Sequence, residues 1–341
     1  MPHVVAAPDK FRGTASAAAV AAAVARAAAQ AGWTCDQAPV SDGGEGFCDV
    51  IGGPVRTQGV HGPLGAAVRA QWRLREASAS APRSAVIEMA LASGLELVGG
   101  AGGNDAIRAD TTGTGELIAA AVSAGACRIL IGMGGSATTD GGMGALDVLE
   151  PHSRLAGVEL AVACDVTTRF VDAAAVFAPQ KGASARQVEL LTRRLERLAQ
   201  LYESRFGVDV RPIEGSGAAG GLAGGLAAVG ATLVAGFDLV ADVIELAERM
   251  ERADLVVTGE GFLDEQSFAG KAVGGVAQMA AEMGVPLLVV AGDGLEVQPV
   301  AYESLVARFG RERSMAATLD CITEVVAGRL EEWGKGAFGE I

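Results

Sequence analysis

Short apolar runs alternate along the chain with longer helical patterns, and glycine-rich polar loops lie between them. Residues 3–7, 85–89, 128–131 and 159–163 form apolar runs of the length expected for buried strands. The stretch 15–31 is rich in alanine and has strong helix propensity. This repeated order of strand, loop and helix predicts an α/β fold with parallel sheets.

The same patterns predict further elements towards both ends of the chain. We expect strands at 37–40, 254–258 and 285–291, and a hairpin over 55–75. The predicted helices are 117–124, 143–149, 187–206, 240–252, one from near Gly270 to Met283, and 314–330. The helix 187–206 is amphipathic, with Leu190, Leu191, Leu195, Leu198 and Leu201 on one face and Arg193, Arg194 and Arg197 facing solvent.

The length of 341 residues allows about two domains. Matching orders of strand, loop and helix occur near both ends of the chain. We therefore expect a discontinuous architecture. Residues 1–60 and 236–341 form a Rossmann-like domain with a parallel sheet, and residues 61–235 form a second α/β domain.

The loop Gly132–Gly142, which follows the predicted strand 128–131, is the strongest candidate for a binding loop. Five of its eleven residues are glycine, and polar side chains lie between them. Glycine allows positive φ and close approach of a ligand, and successive free N–H groups can bind an anion. We expect phosphate or substrate contacts from the following residues: Gly134, Gly135, Ser136, Thr138 and Asp140. The alternative is a flexible surface turn.

Two charged loops near the amino terminus are further candidates. Lys10 and Arg12, together with Asp9, follow the first predicted strand, where open α/β sheets bind ligands. A solvated charged loop is an equally good interpretation. Asp42 and Glu45 lie in a second glycine-rich loop and suit either Mg²⁺ or hydroxyl binding, or an Asx turn that begins a helix.

Three further positions have a functional and a structural interpretation. Thr114 belongs to a threonine-rich helix start that suits phosphate or carboxylate oxygens, although threonine is also a common helix cap. Asp165 follows the predicted strand 159–163, as a metal ligand, a general base or a structural cap would. Lys181 suits an anionic group, with a solvated lysine as the alternative.

Composition narrows the classes of function. The formal net charge of −14 argues against nucleic acid and against an anionic membrane surface as partners. The five scattered cysteines are typical of reduced thiols in a cytoplasmic protein, and the three histidines form no zinc motif with them. We expect no signal peptide and no transmembrane helix. Neither a P-loop nor a correctly placed dinucleotide-binding motif occurs.

Taken together, these segments resemble the class I glycerate kinases, which phosphorylate D-glycerate with ATP. The resemblance implies a two-domain α/β fold, an active site in the cleft between the domains, Mg-ATP as phosphoryl donor, and 2- or 3-phosphoglycerate as product. The matching segments are Pro8–Asp9 with Phe11 and Gly13, Asp42–Gly46, Gly113–Ile118, Gly134–Gly142, Ala163–Val166, Pro179–Ala183, Gly217–Leu222 and Asp254–Lys271.

Phosphoryl transfer requires positioning, charge neutralisation and a base near the attacking hydroxyl. Our hypothesis makes Asp165 the first candidate for this base and Asp42 the second. The candidates for contact with Mg²⁺ or its waters are Asp42, Glu45 and Glu260. Phosphate or carboxylate charge is neutralised by Lys10, Arg12 and Lys181, and substrate oxygens are held by Ser136, Thr138, Thr114 and neighbouring backbone amides.

The sequence departs from the family pattern at several motif positions, which are Lys10, Arg12, Phe47, Thr167–Arg169 and Phe262. At Phe262 the family has an arginine, and we predict that Lys10, Arg12 or Arg169 supplies the missing charge. Two alternatives to glycerate phosphorylation follow. One is a non-catalytic homologue that binds a small carboxylate or nucleotide, and the other is a kinase for another small hydroxy acid. We expect a monomer or a homodimer.

Overall fold

The computed structural model describes residues 1–78, 81–268, 271–295 and 299–334. The chain divides into two compact units. The first unit contains residues 1–42 and the described chain from 237 onwards, and the second unit contains residues 43–236. The mixed α/β class predicted from the sequence is confirmed.

Strands and short helices alternate through the described part of the chain. In chain order, the strands are β1 His3–Ala6, β2 Thr34–Gln37, β3 Val55–His61, β4 Ala67–Arg75, β5 Ser84–Glu88, β6 Arg128–Gly132, β7 Glu159–Ala163, β8 Thr232–Val234, β9 Leu255–Leu263, β10 Leu287–Gly294 and β11 Tyr302–Ser304. The α-helices are α1 Ala17–Gln30, α2 Phe47–Ile51, α3 Ala90–Ser93, α4 Thr112–Ser123, α5 Met143–Val148, α6 Ala173–Phe177, α7 Ala185–Phe206, α8 Leu222–Ala228, α9 Gly236–Val243, α10 Leu246–Met250, α11 Ala272–Met283, α12 Leu305–Phe309, α13 Arg311–Ala316 and α14 Thr318–Gly334. No helix of these ranges is long and apolar enough to cross a membrane.

The first unit is built on a parallel sheet with strand order β11-β10-β9-β1-β2. Alternate residues of β1 enter two different cores, because successive side chains of a strand point to opposite faces. Val4 and Ala6 pack with residues of α1 and α14, whereas Val5 packs in a second core with residues of α9, α10 and α11. Helices therefore cover both faces of this sheet, as a parallel sheet requires.

The second unit contains a mixed sheet with strand order β3-β4-β5-β6-β7-β8. The hairpin β3–β4 is antiparallel, and β5 to β8 run parallel. Residues 43–60 group with this unit rather than with the first domain, where the sequence analysis placed them. The reason is that β3 pairs with β4, while α2 packs against β5.

The helix α7 confirms only part of its predicted apolar face. Leu191, Leu195 and Leu198 are buried with Phe170 and Tyr202 in a core of the second unit. Leu190 and Leu201, by contrast, are exposed. The predicted apolar face was too wide, because only the side of α7 that carries Leu191, Leu195 and Leu198 packs against the core. The predicted solvent position of Arg194 is also wrong in part, because its guanidinium donates to the Ile107 carbonyl.

Several predicted boundaries are corrected by the structure. The second strand covers 34–37 rather than 37–40, because pairing with β1 ends at Gln37. The predicted helix 240–252 is broken at Glu245, whose φ is +55°. The predicted helix 314–330 is divided between α13 and α14 by Ala317, which has non-helical backbone angles. Gly270, where we expected the start of the helix that is α11, lies outside the described residues.

Candidate functional site

The first unit gathers charged side chains beyond the carboxyl ends of β1 and β9. The Asp9 N–H donates to the Gly259 carbonyl over 2.9 Å, which holds the loop after β1 against β9. The Lys10 ammonium lies 4.0 Å from Asp9 Oδ1 and 3.9 Å from Asp42 Oδ1. The predicted residues Lys10 and Asp42 are thus brought together, at the sheet edge where open α/β proteins bind ligands.

Asp9 belongs to this cluster; the sequence analysis placed it in the candidate loop without giving it a role of its own. It is 6% exposed, and burial raises its pKa to about 6, although the neighbouring Lys10 ammonium acts in the opposite direction. Its position directly after the first strand is the signal that placed it in the candidate loop. A carboxyl group with such a pKa titrates in the range that suits proton transfer.

Glu260 lies on β9 at the same edge. Burial raises the pKa of its carboxyl group. Its Oε1 atom is buried and has no hydrogen-bond partner. An orphaned carboxylate oxygen of this kind suits a cation or an ordered water.

The described residues contain no group of three or more His, Cys, Asp or Glu side chains placed to hold a metal ion. Mg²⁺ in kinases is bound through one or two carboxylates, with phosphate oxygens and water completing its shell. The orphaned Oε1 of Glu260 fits such a partial shell. Asp42 and Glu260 each interact electrostatically with Asp9.

Arg12 and Phe262 lie close together at this edge. A Cβ atom at Gly261 would be only 3.1 Å from the Arg12 backbone nitrogen, so the loop after β1 touches the end of β9. Arg12 is exposed, and the Phe262 side chain is 51% exposed. Arg169 is also exposed, but it belongs to the second unit. Compensation for the missing arginine stays a prediction.

In the second unit, the loop with Glu45 lies against the carboxyl ends of the parallel strands. A Cβ at Gly132 would lie 2.5 Å from the Gly43 carbonyl oxygen, and one at Gly134 would lie 2.6 Å from Gly44 Cα. The two glycine-rich loops predicted from the sequence therefore meet at this edge. Glycine is required at both contacts because a side chain would collide with backbone.

Glu88 supports this arrangement and was missed by the sequence analysis. It ends β5 and accepts the Cys48 N–H over 2.8 Å, so it satisfies a free donor at the start of α2. Burial raises the pKa of its carboxyl group, and the exposed Glu45 nearby acts in the same direction. A single acidic residue inside an apolar strand gave no signal of this role.

Asp165 follows β7 at the same edge and is half-buried. Its Oδ1 atom accepts the Gly236 N–H, the first residue of α9, over 2.8 Å. This bond corresponds to the structural cap, one of the three roles that the sequence analysis considered for Asp165. It also fixes the orientation of the carboxylate, so the role of a base or metal ligand stays a prediction.

The loop Gly132–Gly142 is accessible only around Gly134 and Gly135 and is buried from Ser136 onwards. Gly135 is exposed, Ser136 is 8% exposed, and residues 137–139 are fully buried. The flexible surface turn is therefore the wrong interpretation for this second half. Backbone bonds from Leu95 to Gly135 and from Ala137 to Ser93 attach the loop to the neighbouring chain. Ser136 marks the boundary between the accessible and the buried part.

Lys181 is the most unusual charged residue of the second unit. It is 3% exposed, and its ammonium donates to Ser136 Oγ and to the Thr138 carbonyl oxygen, both over 2.7 Å. Burial lowers its pKa to about 7, although the Asp140 carboxylate opposes this shift. The solvated lysine considered from the sequence is therefore wrong.

Asp140, Thr114 and Thr138 have internal partners. Asp140 accepts hydrogen bonds from Thr111 and from the Gly142 and Gly144 backbone, at the starts of α4 and α5. Thr114 Oγ1 pairs with Ser93 Oγ over 2.8 Å. The Thr138 hydroxyl donates to the Ala219 carbonyl over 3.4 Å. These contacts join the loop to neighbouring segments of the second unit. Direct contact of the three residues with a ligand stays a prediction.

The segment 217–222 forms the other support of the loop. Gly220 has a φ of +68°, and a Cβ there would lie 2.0 Å from the Thr138 carbonyl oxygen. Ala219 has a φ of +53°, an unusual conformation for a residue with a side chain. The small residues of this segment are thus explained by its close packing against the loop Gly132–Gly142.

The chain is similar to known proteins over most of its length. The family model described as the glycerate kinase family matches residues 4–151 and 146–333. A glycerate kinase of Bacillus subtilis is 39% identical over 327 residues, covering 85% of this chain and 84% of that protein. A glycerate 2-kinase of Escherichia coli is 35% identical over 339 residues, covering 89% of this chain and 85% of that protein.

A solved structure extends the similarity to the fold. It is a crystal structure described as that of a candidate glycerate kinase 2 from Salmonella typhimurium LT2. The TM-score is 0.85 at 33% sequence identity, and the match covers 98% of this chain and 99% of that one. The two-domain α/β fold expected from the sequence is thereby confirmed. With the family matched along nearly the whole chain, this protein belongs to the glycerate kinase family and is an enzyme, a kinase.

Proposed function

We propose that this kinase transfers the terminal phosphoryl group of ATP to D-glycerate, with Mg²⁺ bound to the nucleotide. The observation that carries the proposal is the extent of the family match. Residues 4–151 and 146–333 include every candidate residue of both units. The relative named glycerate 2-kinase favours the 2-hydroxyl as acceptor and 2-phosphoglycerate as product.

The first unit supplies charged groups that suit a nucleotide and its metal. Lys10 and Arg12 would neutralise phosphate charge, as cations do in phosphoryl transfer. Asp42 and Glu260 would hold Mg²⁺ or its waters, with Glu45 of the second unit as a further candidate. Mg²⁺ neutralises charge on the phosphate oxygens when it is bound.

The second unit supplies neutral donors and a candidate base. The backbone of the half-buried Gly134 and the exposed Gly135, together with the hydroxyl of Ser136, suits carboxylate or phosphate oxygens. Asp165 is our first candidate to accept the proton of the attacking hydroxyl, because its carboxylate is oriented by the Gly236 N–H. Asp42 is the second candidate. The protein acts as a monomer or homodimer in the cytoplasm, on a small-molecule substrate.

The direct test is a coupled assay of ADP release with a panel of small hydroxy acids. We expect turnover with D-glycerate and Mg-ATP, loss of activity with EDTA, and a 2-phosphoglycerate signal in ³¹P NMR. Asp165→Asn should lower kcat about 100-fold or more. Asp320→Asn, at an exposed position of α14, serves as the control and should leave kcat unchanged.

Each alternative has its own result in this assay. Turnover with a different hydroxy acid, and none with D-glycerate, would show that the kinase acts on that other acid. Binding of ATP or glycerate without any ADP release would favour the non-catalytic homologue. Unchanged kcat in a correctly folded Asp165→Asn variant would exclude Asp165 as the base.

A further inference from the structure

The Lys181 ammonium donates to the Ser136 hydroxyl and has no part in the chemistry proposed above. The two side chains are 2.7 Å apart, and both are more than nine-tenths buried. Lys181 also donates to the Thr138 carbonyl oxygen. Among the described ion pairs, none involves Lys181, although Asp140 acts on it electrostatically. The ammonium is thus held mainly by a hydroxyl and a carbonyl of the binding loop.

Asn104 fixes the two segments that carry this pair. Its Nδ2 donates to the Ala137 carbonyl over 3.0 Å and to the Lys181 carbonyl over 2.9 Å. One amide group therefore joins the backbone next to Ser136 to the backbone of Lys181. The position of the ammonium relative to Ser136 is determined by this bridge as well as by its own contacts.

The chemistry of the two groups sets the direction of the Ser136 hydroxyl. A protonated lysine has three donors and no acceptor, so it must donate to Ser136 Oγ. The hydroxyl proton of Ser136 cannot point to the ammonium and is available to another acceptor. Ser136 directly follows the accessible Gly134 and Gly135, so a ligand oxygen at this part of the loop is within its reach.

Burial of a lysine without a paired carboxylate is costly, because the charged form loses its hydration. An apolar side chain of similar length would fill the same space without this cost. A stabilising role alone thus explains the residue poorly. A role in orienting a ligand-binding hydroxyl explains both the burial and the position.

We propose that Lys181 is a positioning residue that acts through Ser136, directing the Ser136 hydroxyl to donate to an anionic oxygen of a substrate. The acceptor is a carboxylate or phosphate oxygen, from D-glycerate or ATP respectively. This assignment deepens the proposed function and rests on it. It changes the role predicted from the sequence, in which Lys181 itself neutralises the charge of the substrate.

The test is a double-mutant cycle of Lys181→Met and Ser136→Ala, with KM measured for D-glycerate and for ATP. Each single variant should raise the KM of the same substrate about ten-fold or more, with kcat changed less than about three-fold. The double variant should be no weaker than Ser136→Ala alone, because the lysine acts through the serine. The substrate whose KM rises identifies the source of the anionic oxygen.

Ser123→Ala is the matched control, at an exposed serine of α4 outside the loop. Combined with Lys181→Met, it should add nothing to the KM of the lysine variant. Effects of Lys181→Met and Ser136→Ala that multiply to about 100-fold would overturn the proposal, as would a lysine variant with wild-type KM.

A second measurement uses the intact lysine and needs only Ser136→Ala. The Asp140 carboxylate faces the ammonium from the loop, and the Asn104 segment offers an uncharged amide. The KM of the wild type should rise as pH increases through about 7, because a neutral amine can accept the Ser136 proton. Ser136→Ala should lose this dependence. A pH dependence of kcat near pH 7 that persists in Ser136→Ala would instead show that Lys181 acts as a base, and this would overturn the proposal.

Failure of the proposed function is distinguished by the wild type. If the wild type binds D-glycerate or ATP in calorimetry but shows no turnover, the proposed function fails. The double-mutant cycle then tests the role of Lys181 through dissociation constants in place of KM. If the wild type neither turns over nor binds either compound, both proposals are overturned.

Discussion

At the scale of single residues, the decisive finding is which polar groups face inwards. Asp140 and Thr114 looked like ligand contacts in the sequence, yet each has buried partners within the second unit. Lys181 is the costly member of this set, since burial disfavours its charged form and lowers its pKa to about 7. This energetic cost has a measurable consequence for the stability of the protein.

We predict that the wild type gains stability relative to Lys181→Met as pH rises from 7 towards 10. The pKa of Lys181 is lowered in the folded state from 10.5, so between these values the unfolded chain binds a proton that the folded protein does not. The free energy of unfolding then rises with pH by up to about 1.4 kcal/mol per unit. Urea unfolding of the wild type and of Lys181→Met at pH 6.5, 8 and 9.5 measures this change in the free energy of unfolding.

Ser136→Ala keeps the lysine and serves as the control, which should retain the wild-type slope. A difference between wild type and Lys181→Met that stays constant over the whole range would show that the lysine is protonated throughout.

At the scale of elements, the end of β9 carries Phe262, where the resemblance to the family implies an arginine. The strand neighbour of Phe262 on β10 is Asp293. Arg311 of α13 lies 3.5 Å from the Asp293 carboxylate. The charge at this strand end is therefore arranged around Asp293, with an arginine that comes from a different element.

Phe262→Arg should lower the KM for an anionic substrate and leave kcat nearly unchanged. The added guanidinium provides uniform binding, although Asp293 competes for it as the neighbouring residue. Steady-state kinetics with both substrates measures the effect, and Phe262→Leu is the uncharged control. A larger change in kcat than in KM would show that the residue at 262 acts in the transition state.

At the scale of the whole molecule, two units each present a set of polar loops at the carboxyl edge of a parallel sheet. The first unit carries the cluster of Asp9, Lys10, Asp42 and Glu260, and the second carries the glycine-rich loops. Both edges hold groups that the proposed reaction requires. A ligand that binds the folded chain and not the unfolded chain raises the free energy of unfolding.

D-glycerate and Mg-ATP should each raise the melting temperature, by an amount that grows with the logarithm of the ligand concentration above Kd. At a hundred-fold excess over Kd, binding adds about 2.7 kcal/mol to the free energy of unfolding. Differential scanning calorimetry measures the shift, and EDTA should reduce the part due to ATP. D-mannitol, a neutral polyol, is the control. No shift with either substrate at millimolar concentration would contradict the assignment of both compounds.

The sequence by itself determined the α/β class, the family and the positions of the glycine-rich loops. Periodicity and glycine clusters are local signals, so the strands 3–6 and 159–163 and the loop Gly132–Gly142 could be located without tertiary information. The same locality explains the errors. The helix break at Glu245 and the division at Ala317 have no glycine or proline to mark them.

Only the tertiary structure decided which side chains of those loops are accessible and what they contact. The bond of Lys181 to Ser136 joins residues 45 positions apart, and Asp140 reaches Thr111 across 29 positions. Asp9 and Glu260 become neighbours because β1 pairs with β9, which is distant in sequence. Burial and pKa depend on such long-range packing, since they measure how much water and which charges surround a group. No pattern within a short window contains that information.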